Sequence, residues 1–177
     1  RVVVVGGGYI AVEFAGIFHG MGAAVTQLYR GPLFMRGFDD DVRRVLADEM
    51  RKRGIDLRFE KNPTAIERSG SGLRVTLNDG SALEADRVLY ATGRVPKTAD
   101  LGLEGAGVEL GRNGEVIVDE YSRSSVPHIY AIGDCTDRLM LTPVAIAEGI
   151  AFAQTVFAGA PTRPDHTNVA TAVFSQP

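Results

Sequence analysis

Three consecutive glycines at positions 6–8 are the residues of this sequence best suited to binding chemistry. Gly6 permits a tight turn, Gly8 lets the backbone approach a ligand, and Ala11 is the third small residue, where a helix can pack on a strand. Four valines at positions 2–5 precede the glycines and predict a buried strand. A strand, a glycine-rich turn and a helix in this order predict a pyrophosphate-binding site. A glycine-rich turn without a ligand is the alternative.

A helical pattern begins directly after the glycines. Apolar side chains recur about one turn apart, at Ile10, Phe14, Ile17 and Phe18. The N–H groups around Tyr9 and Ile10 would face a bound anion, because the first turn of a helix leaves its amide donors unpaired. The pattern therefore predicts a helix with an apolar face and an anion-binding end.

The second predicted strand, residues 24–29, ends where such a fold reads the adenosine ribose. A carboxylate there would accept a hydrogen bond from the 2′-hydroxyl of NAD, but this chain has Arg30, with Arg36 six residues further on. Two guanidinium groups suit a 2′-phosphate, which a carboxylate would repel. The sequence therefore predicts NADPH as the cofactor. Two solvated surface arginines are the alternative.

The elements that follow predict one half of a doubly wound sheet. An amphipathic helix is expected over residues 39–53, with its apolar face formed by Val42, Val45, Leu46 and Met50. Further strands are predicted at residues 55–59, 65–69, 73–77, 82–83 and 87–91. The first and last of these extend a parallel sheet, and the middle three form an antiparallel β-meander that serves as the crossover. The predicted fold is α/β, a Rossmann-like doubly wound parallel sheet with this meander.

Gly93 follows the last of these strands. The carboxyl ends of parallel strands border the ligand crevice in such sheets, so a glycine there would let the backbone approach the nicotinamide half of the cofactor. An ordinary turn at the strand end is the alternative.

The later part of the chain predicts a second ligand-binding segment. Short strands are expected at residues 115–119 and 129–132, and a helix at 142–158 that begins with Thr142 as N-cap. Asp134 follows the second of these strands and either caps the strand end or binds a ligand hydroxyl. The helix start at Thr142 suits developing negative charge on a flavin ring. An apolar run at 169–174 predicts the first strand of a further domain.

Composition excludes several classes of function. The chain has 177 residues, is 45% hydrophobic and carries a net charge of −3 without a basic run, so nucleic acid is not expected as a partner. No apolar stretch is long enough to span a membrane. The single cysteine, Cys135, is expected to be a small buried hydrophobe and indicates a reducing, cytoplasmic compartment. The three histidines lack ligand spacing, so no metal is predicted.

Several blocks of the sequence resemble the flavin-dependent pyridine nucleotide–disulfide oxidoreductase family, in its glutathione-reducing branch. They are GGGYIAVEFAGIF, YRGPLFMRGFD, YATGRVPKT, VDEYSR, HIYAIGDCTDRLMLTPVAIAEG and DHTNVATAVFSQP. The resemblance implies that NADPH reduces FAD, that FAD reduces a redox disulfide, and that the dithiol reduces glutathione disulfide. It also implies a homodimer when the protein is complete.

The resemblance assigns roles to residues of the predicted nucleotide site. Tyr9 would cover the flavin until nicotinamide displaces it, and Glu13 would pair with a lysine of the flavin domain. These two residues are the expected catalytic contributors. The implied NADPH-binding residues are Gly6, Gly8, Tyr9, Ile10, Glu13, Arg30, Arg36 and Gly93. The implied FAD contacts are Asp134, at the ribityl chain, and the backbone of Leu141 and Thr142.

The resemblance also implies a division of the chain. Residues 1–120 would be the NADPH-binding domain, 121–160 a returning segment of the FAD-binding domain, and 161–177 a linker with the start of a dimer-interface domain. The chain holds no redox cysteine pair, so the segment alone is expected to be inactive. One alternative is a trypanothione-reducing enzyme or a related flavoprotein disulfide reductase. The other is a standalone NADPH-binding module without catalysis.

Overall fold

The computed structural model describes residues 1–175, and Gln176 and Pro177, at the end of the predicted interface segment, lie outside the described residues. Its regular elements in chain order are β1 (Val2–Val5), α1 (Tyr9–Gly20), β2 (Val25–Tyr29), α2 (Asp40–Lys52), β3 (Asp56–Phe59), β4 (Pro63–Ser69), β5 (Gly72–Leu77), β6 (Ala82–Ala85), β7 (Arg87–Tyr90) and α3 (Thr142–Phe157).

A four-stranded parallel sheet in the order β3-β2-β1-β7 confirms the predicted fold class. Val5, the last residue of β1, lies opposite Leu28 of β2 and Tyr90 of β7. The strands therefore end almost level with one another, and the loops that follow them leave the sheet at one edge.

The β-meander covers one face of this sheet. Strands β4, β5 and β6 pair antiparallel in sequence order, as predicted. Their buried residues Val75, Leu77 and Ala85 pack with Val3, Val5 and Leu28 of the parallel sheet. The crossover between β3 and β7 is therefore also the cover of a hydrophobic core.

Helix α1 covers the opposite face, but with different residues from those predicted. Its buried side chains are Ala11, Val12 and Ala15, whereas Phe14 is 40% and Ile17 is 43% exposed. Small residues on the inner face let the helix axis approach the strands closely, so the large apolar residues are left on the outer face.

Helix α2 begins and ends as the sequence predicts. The Asp39 carboxylate accepts hydrogen bonds from the amides of Asp41 and Val42, and Gly54 follows the helix with φ +102°. The predicted apolar face is partly wrong, because Val42 and Val45 are 59% and 61% exposed. Ala47 and Met50 are the residues that α2 buries.

Residues 94–141 contain little regular structure. The strands predicted at 115–119 and 129–132 are wrong, since these residues form only isolated β-bridges, and a 3₁₀ helix, Gly133–Thr136, follows. The strand predicted at 169–174 is also not formed. A strand needs a partner to hydrogen-bond, and these segments find none that is continuous. Helix α3 is confirmed, but Leu141 rather than Thr142 is its N-cap, without a side-chain cap bond.

Two compact units divide the chain. The first holds Arg1–Gly93 and the described residues from Ala172 onward, and the second holds Arg94–Thr171. The predicted domain boundaries near residues 120 and 160 stay predictions, because they concern the domains of a longer protein. None of the helices in residues 1–175 has the length and apolar character that crossing a membrane requires.

Candidate functional site

The carboxyl edge of the parallel sheet brings together the residues predicted to bind a nucleotide. Gly6 follows β1, Arg30 follows β2, and Gly93 lies three residues after the end of β7. Because β2, β1 and β7 are parallel neighbours, their carboxyl ends lie side by side. The structure therefore places one loop from each of the three strands along a single edge.

The three consecutive glycines differ in what a side chain would meet at each position. Gly6 has φ +144°, and a Cβ there would overlap the carbonyl oxygen of Ala91. A Cβ on Gly7 would overlap the ring of Tyr29. A Cβ on Gly8 would have no neighbour within 4 Å. Packing within the protein therefore requires the first two glycines, and open space at the third fits a ligand that approaches the backbone.

The start of α1 can receive an anion. Gly8 is the N-cap, with no side-chain cap bond, and the side chains of Tyr9 and Ile10 are half-buried beside it. The first amide groups of a helix have no intrahelical acceptor, and the helix dipole adds partial positive charge. This donor set and the open space at Gly8 fit a pyrophosphate.

Arg30 and Arg36 lie at the two ends of the loop that follows β2. Both are exposed, and within residues 1–175 neither side chain makes a hydrogen bond or an ion pair. Two guanidinium groups without protein partners are free to bind an anion. Two such groups suit the phosphate of a 2′-phosphorylated ribose, the ligand group that the sequence predicts for them.

Gln27 supports the glycine turn from below, and the sequence analysis missed it. Its side chain is 2% exposed, and Nε2 donates to the Gly6 carbonyl oxygen at 3.1 Å. Its Oε1 is buried without a hydrogen-bond partner in the described part of the chain. A polar residue at the centre of a predicted buried strand was the signal that could have identified it.

Glu13 and Gly93, two further candidate site residues, also belong to the first unit. Glu13 Oε1 accepts a hydrogen bond from the Phe174 amide at 3.0 Å, while no partner lysine stands among the described residues. Gly93 has φ +138°, and a Cβ there would have no neighbour within 4 Å. Gly93 therefore leaves open space at the end of β7, as Gly8 does after β1.

The residues predicted to contact a flavin belong to the second unit. Asp134 lies in the 3₁₀ helix, and one carboxylate oxygen pairs with Arg94, a partner that the sequence analysis missed. The other oxygen has no hydrogen-bond partner within residues 1–175 and can accept from a ligand hydroxyl. Leu141 and Thr142 form the start of α3, where the first amide groups lack a side-chain cap. These groups fit a hydroxylated chain beside an electron-rich ring.

A buried carboxylate, Glu148, holds this segment together. Its side chain is 1% exposed and accepts hydrogen bonds from the Gly133 amide at 2.5 Å and from Arg138 Nη2 at 3.0 Å. His166 Nε2 lies 2.6 Å from the same carboxylate. Glu148 therefore joins α3 to the 3₁₀ helix and to the segment near residue 166.

Cys135 differs from its prediction. It is only partly buried, and its thiol donates to the Ile132 carbonyl oxygen at 3.1 Å. Desolvation by burial raises the pKa of this thiol, so the thiolate form is disfavoured. Among the described residues no group of three or more His, Cys, Asp and Glu side chains could hold a metal ion.

The parallel sheet and the candidate nucleotide-binding edge are typical of dinucleotide-binding proteins. Comparison with known proteins gives the family. Residues 1–149 match the family model described as pyridine nucleotide-disulphide oxidoreductase. The match covers most of the chain, so the chain belongs to the pyridine nucleotide–disulphide oxidoreductase family, as the sequence blocks indicate.

Two curated relatives are similar to this chain over its full length. It is 56% identical to glutathione reductase of Burkholderia cepacia over 177 residues, 100% of this chain and 39% of that protein. It is 52% identical to trypanothione reductase of Leishmania donovani, covering 100% of this chain and 37% of that protein. The chain thus spans about two fifths of the length of these relatives.

Solved structures show the same fold. A flavoprotein disulfide reductase of Escherichia coli, RclA, induced by HOCl, superposes with a TM-score of 0.93 at 30% identity, covering 98% of this chain and 40% of that one. LpdA of Mycobacterium tuberculosis superposes with a TM-score of 0.88 at 35% identity, covering 98% of this chain and 38% of that one.

Proposed function

We propose that this chain is the NADPH-binding part, with an adjoining FAD-contacting segment, of an FAD-dependent reductase that acts on glutathione disulfide. The observation that carries the proposal is the pair of exposed arginines on the loop after β2, Arg30 and Arg36, whose side chains make no hydrogen bond or ion pair within residues 1–175. Identity of 56% to a glutathione reductase over the whole chain supports the substrate.

The first unit would bind the nucleotide. When bound, NADPH supplies a hydride, and FAD passes the electrons on toward a disulfide. The amides at Gly8, Tyr9 and Ile10 hold the pyrophosphate at the positive end of α1. Arg30 and Arg36 bind the 2′-phosphate, the group that distinguishes NADPH from NADH.

The nicotinamide end of the site would involve three residues. Gly93 leaves room for the ring beside β7, and Gly6 keeps the turn compact. The Tyr9 ring would cover the flavin until nicotinamide displaces it. Glu13 orients a cation of the flavin domain.

The second unit would contact the flavin. Asp134 accepts a hydrogen bond from the ribityl chain, and its ion pair with Arg94 holds the carboxylate in position. The backbone at Leu141 and Thr142 places the positive end of α3 at the ring. With Cys135 as its single cysteine, the 177-residue chain is expected not to reduce disulfides by itself.

The assembly and location of the complete protein belong to the proposal as well. The relatives support a flavoenzyme, and we propose a homodimer that works in the cytoplasm. No membrane and no nucleic acid take part in this account.

Calorimetric titration of the 177-residue chain with NADPH and NADH tests the cofactor proposal. Charge-assisted hydrogen bonds are each worth about 1.5–3 kcal/mol. We therefore expect NADPH to bind at least about tenfold more tightly than NADH. The double variant Arg30→Ala with Arg36→Ala should lose this preference and keep its NADH affinity. Equal binding of both nucleotides by the wild-type chain would contradict the proposal.

Reduction of trypanothione disulfide is the second candidate activity, since the chain is 52% identical to a trypanothione reductase over its full length. The higher identity to a glutathione reductase, 56% over the full chain, favours glutathione. Assay of the complete gene product with both disulfides and NADPH decides between them. A higher kcat/KM with trypanothione disulfide would replace glutathione as the proposed substrate.

A further inference from the structure

The loop between Arg30 and Arg36 is held against the glycine turn. The Met35 amide donates to the Gly7 carbonyl oxygen at 2.6 Å, and Met35 has φ +55°, a conformation that few non-glycine residues adopt. Phe34 beside it is fully buried, with its ring centroid 5.5 Å from that of Phe59. The loop is thus anchored in the core directly before Arg36.

Arg43 on α2 provides a second anchor for the same loop. Its Nε donates to the Phe34 carbonyl oxygen at 2.6 Å, and its Nη2 donates to the Leu33 carbonyl oxygen at 2.7 Å. Its Nη1 pairs with the Asp40 carboxylate. The side chain is 15% exposed, although it carries a full charge. All three guanidinium nitrogens of Arg43 therefore donate to neighbouring groups, and two of these acceptors are carbonyl oxygens of the loop.

Helix α2 makes Arg43 a fixed support. The Asp39 cap sets the start of the helix, and Arg43 lies in the first turn after it. Because the guanidinium is planar, its donors reach adjacent carbonyls in a single geometry. The loop backbone on the Arg36 side therefore has little freedom to move away from the sheet edge.

We propose that Arg43 is a positioning residue that sets the preference of this site for a 2′-phosphorylated ribose. Its charge is neutralised by Asp40, so it acts by holding the loop that carries Arg36. A loop fixed before binding loses less conformational entropy when it engages the phosphate. The inference rests on the proposed NADPH site and names the residue that makes it selective.

A matched control lies next in the chain. Arg44 has the same charge and lies on the same helix, but it is 61% exposed and pairs only with the Asp40 and Asp41 carboxylates. Arg44→Met therefore removes an equal charge near the loop without removing a loop contact. Arg43→Lys is the conservative variant, since it keeps the charge but replaces the planar guanidinium, which donates from three nitrogens, by a single ammonium nitrogen on a flexible stem.

The test is calorimetric titration of the 177-residue chain with adenosine 2′,5′-bisphosphate and with 5′-AMP, which lacks the 2′-phosphate. Arg43→Met should weaken binding of the bisphosphate about tenfold, the equivalent of one charge-assisted hydrogen bond. It should leave 5′-AMP affinity within about twofold, as a change confined to the 2′-phosphate requires. Arg44→Met should leave both affinities unchanged, and Arg43→Lys should lose part of the preference. Thermal melting of every variant establishes that it is folded.

Several outcomes would overturn the inference. Equal losses in Arg43→Met and Arg44→Met would assign the effect to bulk charge. Equal weakening of both ligands by Arg43→Met would assign it to general loosening of the fold. An unchanged preference in both Arg43 variants, with the preference lost in the Arg30→Ala, Arg36→Ala variant, would reject the role of Arg43 and keep the NADPH site.

If the wild-type chain shows no preference for the bisphosphate, the proposed function fails, and this inference fails with it. If Arg43→Met does not fold, Arg43→Lys alone decides, and a wild-type preference in that variant rejects the role.

Discussion

The two units of this chain position their candidate site residues by different means. In the first unit, parallel strands end level with one another, and the site residues lie in the loops directly after them. In the second unit, long irregular stretches surround α3, and one buried carboxylate, Glu148, links three segments. Backbone hydrogen bonding fixes the first arrangement, and side-chain polar contacts fix the second.

The difference concerns where a single substitution should be most damaging. A sheet distributes its hydrogen bonds over many residues, so the first unit is sensitive only where the backbone is crowded. A buried charge is satisfied by few partners, and its loss leaves those partners unpaired. The second unit should therefore depend on one side chain more heavily than the first.

Glu148→Ala should give the largest loss of stability. Removing one partner of a buried ion pair costs about 3–5 kcal/mol. Chemical denaturation of the variant measures this loss. Glu120→Ala is the control, because Glu120 is 53% exposed and pairs with exposed Arg163, and exposed pairs contribute about 0–1 kcal/mol. Equal stability of the two variants would show that the Glu148 cluster does not hold the second unit.

Gly6→Ala should give the next largest loss. The new Cβ would overlap the Ala91 carbonyl oxygen, and φ +144° is strained for any residue with a side chain. Overpacking and backbone strain each cost about 1–3 kcal/mol. Denaturation midpoints of the variant and the wild type give the difference. An unchanged denaturation midpoint in Gly6→Ala would show that crowding at the glycine turn does not limit which residue position 6 can hold.

Gly8→Ala should have the smallest effect on stability and a clear effect on binding. A Cβ at Gly8 meets no protein atom within 4 Å, and replacing an N-cap glycine by alanine costs about 1 kcal/mol or less. The same Cβ would occupy the space proposed for the pyrophosphate, so NADPH affinity should fall in calorimetric titration. Unchanged NADPH affinity would remove Gly8 from the proposed site.

The sequence predicts the first unit well because its strands carry continuous apolar runs between clear turn signals. The parallel order, the meander and the limits of α2 follow from such patterns. The same patterns do not predict the buried face of α1. Ala11 and Ala15 are buried because their small side chains let the helix approach the sheet closely, whereas Phe14 is more hydrophobic and lies on the outer face. Periodicity identifies a helix better than it identifies which of its faces is buried.

The second unit could be predicted only in part. Helix α3 is long and follows a good start signal at Thr142 and Pro143. The expected strands at 115–119 and 129–132 have the right composition, but no neighbouring run forms a ladder with them. The Glu148 contacts join residues up to 18 positions apart, and no local pattern encodes which partners a buried carboxylate will find.

Of the candidate site residues, those fixed by backbone geometry were identifiable from spacing. Gly8, Arg30 and Gly93 each lie within three residues of the end of a predicted strand. Arg43 was not identifiable, because it donates to carbonyl oxygens that only the folded chain brings within reach. Gln27 offered one signal, its polar side chain within an apolar strand, but its acceptor, the Gly6 carbonyl oxygen, is also set by the fold.

NMR titration of the ¹⁵N-labelled chain with NADP⁺ and NAD⁺ tests whether the carboxyl edge of the parallel sheet binds a 2′-phosphorylated dinucleotide. We expect saturable shifts with NADP⁺ at the amides of Gly8, Tyr9, Arg30, Arg36 and Gly93. We also expect the shifts at Arg30 and Arg36 to diminish strongly with NAD⁺. Shifts confined to other residues, or the same shifts with both nucleotides, would contradict this proposal.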